Sequence, residues 1–531
     1  MADPLTAENP TPGSDPLGLT GRTVVIGGAG TAGMSAARYL VTRDVHIVLA
    51  DDRFASRNAE AAAREAAVRA VAGVADLLSQ GAEAVAIADL LADPSWTADA
   101  AVVIVSPGFA PTHDLVGQAA AGGIPVWGEV ELAWRVDAAG LLGEPRTWLV
   151  VTGTNGKTTT TSMLADIVER SGRAGAACGN IGLPVLDAMR ATPRVDVLCA
   201  ELSSFQLHWA PSVRPAAGVV LNVAEDHLDW HGTFDAYAIA KAGALRGDIA
   251  VVGLDDPVAS GLPGAGRRVG FTLGPPQDGQ LGVEDGHLVD RAFGAGRLLP
   301  ADAVHPAGPS GVSDALAASA LALAIGVGRD AVEAALTDFR PAAHRGEVVA
   351  TRDGVLFVDD SKATNPHAAQ AAVAAYDRVV LIAGGLLKGA SMDGMLTAVG
   401  DRLAGVVAIG RDRDLVVEAI VRHAPEVPTV TVFTGDDGTV NVHRQGQTEP
   451  VLSSTPFSSS AEASESDSAV AVMDRAVAEA WELAAASDPT PDAVLLAPAA
   501  ASLDMFAGYG RRGDAFAHAA RDIAGTSSSS R

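Results

Sequence analysis

Cysteine is nearly absent from this chain. Cys178 and Cys199 are the only two in 531 residues. They cannot form a disulfide framework, and their separation is not a metal-ligand spacing. That suits a reducing compartment. Basic charge is scarce as well. The formal net charge is −26, which argues against a general nucleic-acid or anionic-membrane surface and leaves any phosphate chemistry to local cations. No apolar run approaches the roughly 18 residues that a membrane span needs. Met1 to Pro16 carries Asp3, Glu8 and Asp15 and has no basic region followed by an apolar core, so no export signal is read there. No fixed-period repeat is present. The expectation from these absences is a soluble cytoplasmic protein without nucleic-acid or membrane partners. With 48% apolar and 19% charged residues, a chain of this length predicts about three globular domains.

What is present is concentrated in one stretch. Trp148 to Val151 reads as a buried strand and is followed by Thr152-Gly153-Thr154-Asn155-Gly156-Lys157-Thr158-Thr159-Thr160. A helical pattern follows from Ser162 to Val168. Strand, glycine loop, Lys-Thr and helix make a phosphate-binding loop. Backbone N–H groups and the helix N-terminus hold phosphate oxygens, Lys157 supplies a point charge, and Thr158 reaches a divalent cation. The stretch points to a nucleoside triphosphate. Two residues, not four, separate Gly153 from the Gly156-Lys157 pair.

Around this loop the chain divides into blocks. Residues 1–20 are rich in Pro, Gly and Asp and predict a disordered leader. In 21–143, strands at Thr23–Ile26, Val45–Ala50 and Ala101–Val105, with a helix from Met34 to Val41, predict an open parallel sheet. In 144–340, strands are expected at Trp148–Val151, Val195–Glu201 and Gly218–Asn222. Gly261 to Gly296 reads as turns, and Asp314 to Ile325 as an alanine-leucine helix. In 341–525, strands at Val355–Val358, Val379–Ile382, Val406–Ile409 and Val494–Leu496 alternate with helical patterns such as Asp474 to Ala485. Residues 441–468 are Ser/Glu-rich without a hydrophobic period and predict a mobile surface insertion. Residues 526–531 predict a disordered tail.

Polar loops end several of the expected strands. Gly28-x-Gly30-x-x-Gly33 with acids at Asp51 and Asp52 fits a dinucleotide fold, and equally a tight turn in any α/β domain. With Arg53 and Ser106-Pro107-Gly108 on the same edge, a ligand crevice is favoured over a plain turn. Glu201 ends a strand beside the phosphate loop, where a metal ligand is expected, although alone it reads as an ordinary strand-end acid. His227 follows another strand and suits a metal or phosphate; a lone His there is usually structural. Lys241, by spacing alone, is a solvated helix lysine. Asp359-Asp360-Ser361-Lys362-Ala363-Thr364-Asn365, Gly384-Gly385-Leu386-Leu387-Lys388 and Ala501-Ser502-Leu503-Asp504 also follow strands. For the first of these, a polar turn is the bland alternative.

Together these loops resemble the Mur ligase family of peptidoglycan synthesis, from about Gly21 to Gly525. The signatures are Thr-Gly-Thr-Asn-Gly-Lys-Thr, Asn222 to His227, His344-Arg345 and Asp360 to Asn365. Glu201 to Leu207, Gly384-Gly385-x-x-Lys388 and Ala501-Ser502-Leu503-Asp504-x-Phe506 point to the branch that adds D-glutamate. The Asp-Asn-Pro-Arg signature of the diamino-acid-adding branch is absent. The resemblance implies a three-domain α/β fold: an N-terminal Rossmann-like parallel sheet, a central P-loop-type ATPase domain and a C-terminal Rossmann-like domain. It implies ATP-driven addition of D-glutamate to UDP-N-acetylmuramoyl-L-alanine through an acyl phosphate, by a protein expected to be a monomer.

The same resemblance implies roles for residues. Lys157, His227 and Lys241 would be catalytic. Gly153, Thr154, Asn155, Gly156, Lys157, Thr158 and Thr159, with Arg345 and Asp360, would bind ATP. Thr158 and Glu201 would hold one Mg²⁺, and His227 with a carbamylated Lys241 a second. Thr31, Ala32, Asp51, Arg53, Ser106, Gly108 and Asn180 would bind the UDP substrate. Thr364, Lys388, Ser502, Leu503 and Tyr509 would surround D-glutamate. Closure would hinge near Gly143–Pro145 and Arg340–Ala343. The chain departs from the family in three places: Ser310 to Asp314 replaces a His-Asn-x-x-Asn run, Leu386-Leu387 replaces Asp-Gly, and Tyr509 replaces Phe. Two alternatives stay open, another amino-acid ligase of the Mur or folylpolyglutamate type and an NAD-dependent oxidoreductase built on the first glycine turn. The latter leaves Lys157 and Lys362 without a role.

Overall fold

A computed structural model describes residues 15–435, 439–444, 451–452 and 465–525. The described residues form two compact units, 15–301 with 313–338, and those of 302–312 with 339–525. The segment Gly143–Pro145 lies inside the first unit.

The first unit holds two sheets. Five parallel strands form the N-terminal one, in the order Glu83–Val85, His46–Ala50, Thr23–Gly27, Ala100–Val105, Val126–Gly128. Val24, Val25 and Ile26 are fully buried, as expected where helices cover both faces of a parallel sheet. Order reverses at Thr23–Gly27, which opens a crevice outside the carboxyl ends of the strands. The glycine turn enters helix Thr31–Leu40 there. A Cβ on Gly33 would lie 1.9 Å from the Gly28 carbonyl oxygen, so only glycine lets the helix approach the turn.

The second sheet has nine strands. Its parallel core runs Arg267–Phe271, Ile249–Gly253, Ala217–Val220, Thr147–Thr152, Val197–Glu201, Gly175–Gly179. Three more strands, Gln280–Glu284, His287–Asp290 and Gly296–Pro300, extend it beyond Arg267–Phe271, with the last two antiparallel. The turn-rich reading of Gly261 to Gly296 is therefore wrong. Val269, Phe271, Leu281 and Leu288 are buried along these strands. Each strand is too short, and too closely bounded by glycine, for its alternation to emerge from the sequence.

Among its described residues the second unit holds eight strands, ordered Glu347–Arg352, Val355–Asp359, Ala493–Leu496, Val379–Gly384, Leu403–Ile409, Thr429–Thr434, Val440–Arg444, Val451–Leu452. Helix Glu465–Ala486 packs its alanines and Val472, Met473 and Val477 against this sheet. The insertion read at 441–468 is smaller than expected. Residues 441–444 pair antiparallel with Thr429–Thr434, with Asn441 and Val442 buried, and 465–468 belong to the helix. Edge pairing overrides the weak local pattern. Residues 445–450 and 453–464 of that stretch, 1–14 of the leader and 526–531 lie outside the described residues. The leader also ends earlier than read. The Asp15 carboxylate accepts from the amides of Leu17, Gly18 and Thr20, and Leu19 is buried in the core. No helix among the described residues is long and apolar enough to cross a membrane.

The two sheets of the first unit are joined through buried polar contacts. The Glu129 carboxylate, at the start of helix Glu129–Ala138, accepts from the Leu186 amide at 2.6 Å. The Gly128 amide donates to the Trp209 carbonyl, and the Trp209 indole donates to the Phe109 carbonyl at 3.1 Å. Burial pushes the Glu129 carboxyl up to about 7; the Leu186 amide opposes the shift and Asp187 adds to it. Between the usual carboxylate range and pH 7 the folded chain therefore binds more protons than the unfolded one, so Glu129 costs stability as pH rises through that window. Glu129→Gln is expected to raise the unfolding midpoint at pH 8, by a gain on the order of 3 kcal/mol. The gain should vanish near pH 4; thermal unfolding at the two pH values measures it.

Candidate active site

The phosphate loop is built where strand Thr147–Thr152 gives way to helix Lys157–Arg170. Gly156 caps the helix at φ +82, a left-handed conformation that favours glycine. Asn222, just beyond the neighbouring strand, pins the loop. Its Oδ1 accepts from the amides of Thr154 (3.1 Å) and Asn155 (2.9 Å), and its Nδ2 donates to the Asn155 carbonyl at 3.2 Å. Thr154 Oγ1 lies 2.9 Å from the Tyr237 hydroxyl and accepts from the Ala224 amide at 2.9 Å. Lys157 folds over the loop, Nζ donating to the carbonyls of Gly153 (3.0 Å) and Thr154 (2.9 Å). Thr158 and Thr159 follow in the first helical turn, Thr159 buried.

Glu201 ends the adjacent strand, paired with Val151 in register, and is only 1% exposed. Its Oε1 accepts from Asn180 Nδ2 at 2.8 Å. Its Oε2 is buried with no hydrogen-bond partner among the described residues. A buried carboxylate oxygen without a donor is costly unless a cation meets it, so Glu201, with the Thr158 hydroxyl nearby in sequence to Lys157, fits a divalent ion.

His227 takes φ 54, a conformation that is uncommon outside glycine and clusters at functional sites. Its side chain is half-exposed. Burial pulls the imidazole below its ordinary value, and Asp226 partly opposes this. Lys241 overturns the solvated-lysine reading. It is 2% exposed, donates to the Gly153 carbonyl at 2.6 Å and lies 4.5 Å over the Tyr237 ring. Burial, with the charge of Lys157, holds its amine well below the usual lysine range against the pull of Asp226. Tertiary packing of helix Phe234–Lys241 turns this side chain inward, which spacing could not show.

The N-terminal crevice gathers the other residues read from this unit. Thr31 and Ala32 open helix Thr31–Leu40. The Asp51 carboxylate accepts from the Ala29 amide at 2.6 Å and from Arg53 Nε at 2.8 Å. Burial works against this carboxylate, but Arg53 and the Ala29 amide outweigh it and hold it down to about 2. Ser106 Oγ donates to the Gly28 carbonyl at 3.2 Å, and the Gly108 carbonyl accepts from the Trp230 indole at 3.3 Å. Asn180 is tied by its amide and its side chain to Glu201, at the strand end beside the phosphate loop.

In the second unit, Asp360 follows strand Val355–Asp359. Burial and Asp359 raise its carboxyl to about 7, opposed by Arg345. Lys362 Nζ lies 4.1 Å over the Tyr509 ring, and the Thr364 amide donates to the Lys362 carbonyl. Lys388 is exposed at φ 53. The loop bearing it joins that of Ser502 and Leu503 through Leu386 and Ala501, each donating its amide to the other's carbonyl. Ser502 is buried, while Leu503 is 65% and Tyr509 37% exposed.

Three residues here escaped the sequence reading. Asp314 accepts from Thr160 Oγ1 at 3.0 Å and crowds Gly156, whose Cβ would lie 2.3 Å from its Oδ1. Arg512, 1% exposed, donates to Ser361 Oγ (3.0 Å), Ser361 O (2.9 Å) and Ala500 O (3.1 Å), tying two loops together. Tyr237 lies between Thr154 and Lys241. None stands in a loop motif; each is a helix residue whose partner is far away in sequence. His344 Nδ1 bonds Asp359 Oδ2 at 2.7 Å, and with Glu347 their ligand atoms lie within 4.8 Å of one another.

Three family models match the chain: Mur ligase MurD-like, N-terminal domain over residues 22–128, Mur ligase middle domain over 151–270, and Mur ligase, glutamate ligase domain over 344–449. The chain is 53% identical over 506 residues to the UDP-N-acetylmuramoylalanine--D-glutamate ligase of Rhodococcus jostii, covering 94% of this chain and 95% of that one. It is 52% identical over 510 residues to the ligase of the same name from Mycolicibacterium smegmatis (95% and 97% covered). With the one from Mycobacterium avium it shares 56% over 425 residues (79% and 84% covered).

Loss of the Asn222 clamp is expected to loosen the loop before anything else. Asn222→Leu should cost about 1 kcal/mol, since it removes the side-chain acceptor shared by the amides of Thr154 and Asn155, while Thr154 keeps its bond to the Asn222 carbonyl. Amide hydrogen exchange should rise first over residues 153–157; uniform protection there would contradict the clamp.

Proposed function

The chain belongs to the Mur ligase family, and on that premise we propose that it joins D-glutamate to UDP-N-acetylmuramoyl-L-alanine at the expense of ATP. One observation carries the reading. A phosphate loop with Lys157, a buried glutamate with an unpartnered oxygen and a buried lysine meet at one sheet edge, in the same unit as a second crevice that suits a nucleoside diphosphate. Such a site suits phosphoryl transfer to a carboxylate that is anchored elsewhere by its nucleotide.

A carboxylate and a triphosphate repel, so catalysis is largely the placing of cations and donors. The amides of Gly153 to Thr159 cradle the phosphates, and Lys157 leaves its loop carbonyls to steady the γ-phosphoryl group. The alanyl carboxylate oxygen attacks the γ-phosphorus and ADP leaves, giving an acyl phosphate. The amine of D-glutamate then attacks the carbonyl carbon; phosphate leaves and the amine gives up a proton. Bound Mg²⁺ supplies charge neutralisation between the reacting anions, with Thr158 and Glu201 holding one ion and His227 and carbamylated Lys241 the other. The depressed basicity of Lys241 supports the carbamate, because only the unprotonated amine adds to CO₂. Thr31, Ala32, Asp51, Arg53, Ser106, Gly108 and Asn180 take the uridine diphosphate. Arg345 and Asp360 contact the adenine nucleotide, while Thr364, Lys388, Ser502, Leu503 and Tyr509 receive D-glutamate, Lys388 pairing a carboxylate. The protein acts in the cytoplasm as a monomer.

Phosphate release from ATP with UDP-N-acetylmuramoyl-L-alanine should depend on D-glutamate when a panel of amino acids is compared. Preference for another amino acid would reject the assignment. Lys241→Ala should lower turnover by about two to three orders of magnitude, and bicarbonate should change wild-type activity. Full activity in the variant would remove the carbamate role.

A further inference from the structure

Aromatic residues make up only 4% of this chain, yet they form a run across the first unit. The Trp230 indole donates to the Gly108 carbonyl at 3.3 Å. The Trp230 and Phe205 rings lie 4.6 Å apart, tilted by 34°. Phe205 lies 4.8 Å from the His227 ring, and His227 6.5 Å from Tyr237, over which Lys241 sits. Trp230 and Phe205 are both half-buried, and His231, His208 and Trp209 also flank the Trp230 ring, at 4.5, 5.2 and 6.4 Å.

The two ends of the run have different tasks in the reading above, on which this inference rests. Gly108 belongs to the crevice for the nucleoside diphosphate, and His227 and Lys241 to the site where the carboxylate is phosphorylated. Between a substrate's diphosphate and its reacting carboxylate stands one rigid group, a pyranose. Its axial C–H bonds form an apolar face that matches an aromatic ring, whose negative π-face attracts such hydrogens. The one polar atom of the indole is already spent on Gly108, so what Trp230 has to offer is the part of its ring that these neighbours leave exposed. We propose that Trp230, backed by Phe205, is the platform on which the N-acetylmuramoyl ring of the substrate lies, a specificity-determining residue that measures the distance between the diphosphate crevice and the reacting carboxylate.

The competing role is mechanical: the indole bond to Gly108 props the loop from Ser106 to Phe109. The two roles separate when UDP, which lacks the sugar, is compared with UDP-N-acetylmuramoyl-L-alanine by calorimetry on the full chain. Trp230→Ala should weaken the sugar-bearing ligand about tenfold, the scale of one lost aromatic contact, and leave UDP nearly unchanged. Trp230→Phe, which keeps a face and loses the N–H, should retain most of the sugar's contribution. Equal weakening of both ligands in Trp230→Ala would show a prop and overturn the platform, as would no weakening of either. Should Trp230→Ala fail to fold, proton NMR of the wild type decides: the bound pyranose protons should shift upfield, and by more than in Trp230→Leu. Equal shifts would refute the idea. Wild type that binds neither ligand would instead reject the ligase reading, and this inference with it.

Discussion

Two lysines converge on one carbonyl. Lys157 and Lys241 both donate to the Gly153 oxygen, at 3.0 and 2.6 Å. Burial, and after it the repulsion between two cationic groups that share one acceptor, weakens the basicity of Lys241. The rest of the first unit follows from this convergence. Asn222 fixes the loop that presents the carbonyl, and Tyr237 packs beneath Lys241 while its hydroxyl meets Thr154. Glu201 brings a carboxylate with one open oxygen to the next strand end. The site is thus set up for a polyanion and a metal, the partners that resolve both the excess of cation and the unmet carboxylate.

The convergence only matters if the substrate's other end is held at a fixed distance. The buried contacts of Glu129 with Leu186, and of Trp209 with Gly128 and Phe109, weld the N-terminal sheet to the central one. Burying a carboxylate and several backbone groups in that seam is expensive, and each is paired, so the seam resists slipping. The N-terminal crevice and the phosphate loop therefore behave as parts of one compact unit. The loops of Asp360, Lys388 and Ser502 are organised separately in the second unit, with Arg512 as their internal tie.

Much of this was legible in the chain. The phosphate loop is a local device: strand, glycines, Lys-Thr and helix lie within the consecutive residues 147–170, and the chemistry of the backbone there is dictated by the residues themselves. Three of the five N-terminal parallel strands were legible for a related reason, since strands buried on both faces read as continuous apolar runs; the three-residue strands Glu83–Val85 and Val126–Gly128 were too short to read. The sheet extension from Arg267 to Pro300 was not, because its strands are short and their pairing, not their composition, makes them strands. The edge strand Val440–Arg444 was hidden in the same way inside a Ser-rich neighbourhood.

The sequence by itself determined the identity of the chemical groups, their order along the chain and the loops that carry them. Gly156 must stand where φ is positive, and Lys157 must follow it. Only the tertiary structure decided which of these groups are out of water. Lys241 looked solvated by spacing and is buried; Asp314 only opened an expected helix and Arg512 carried no reading, and they are the buried partners of Thr160 and Ser361. The reason is physical. Burial and pairing depend here on residues 88 to 154 positions away, and a one-dimensional pattern records a side chain's kind but not the company that sets its charge.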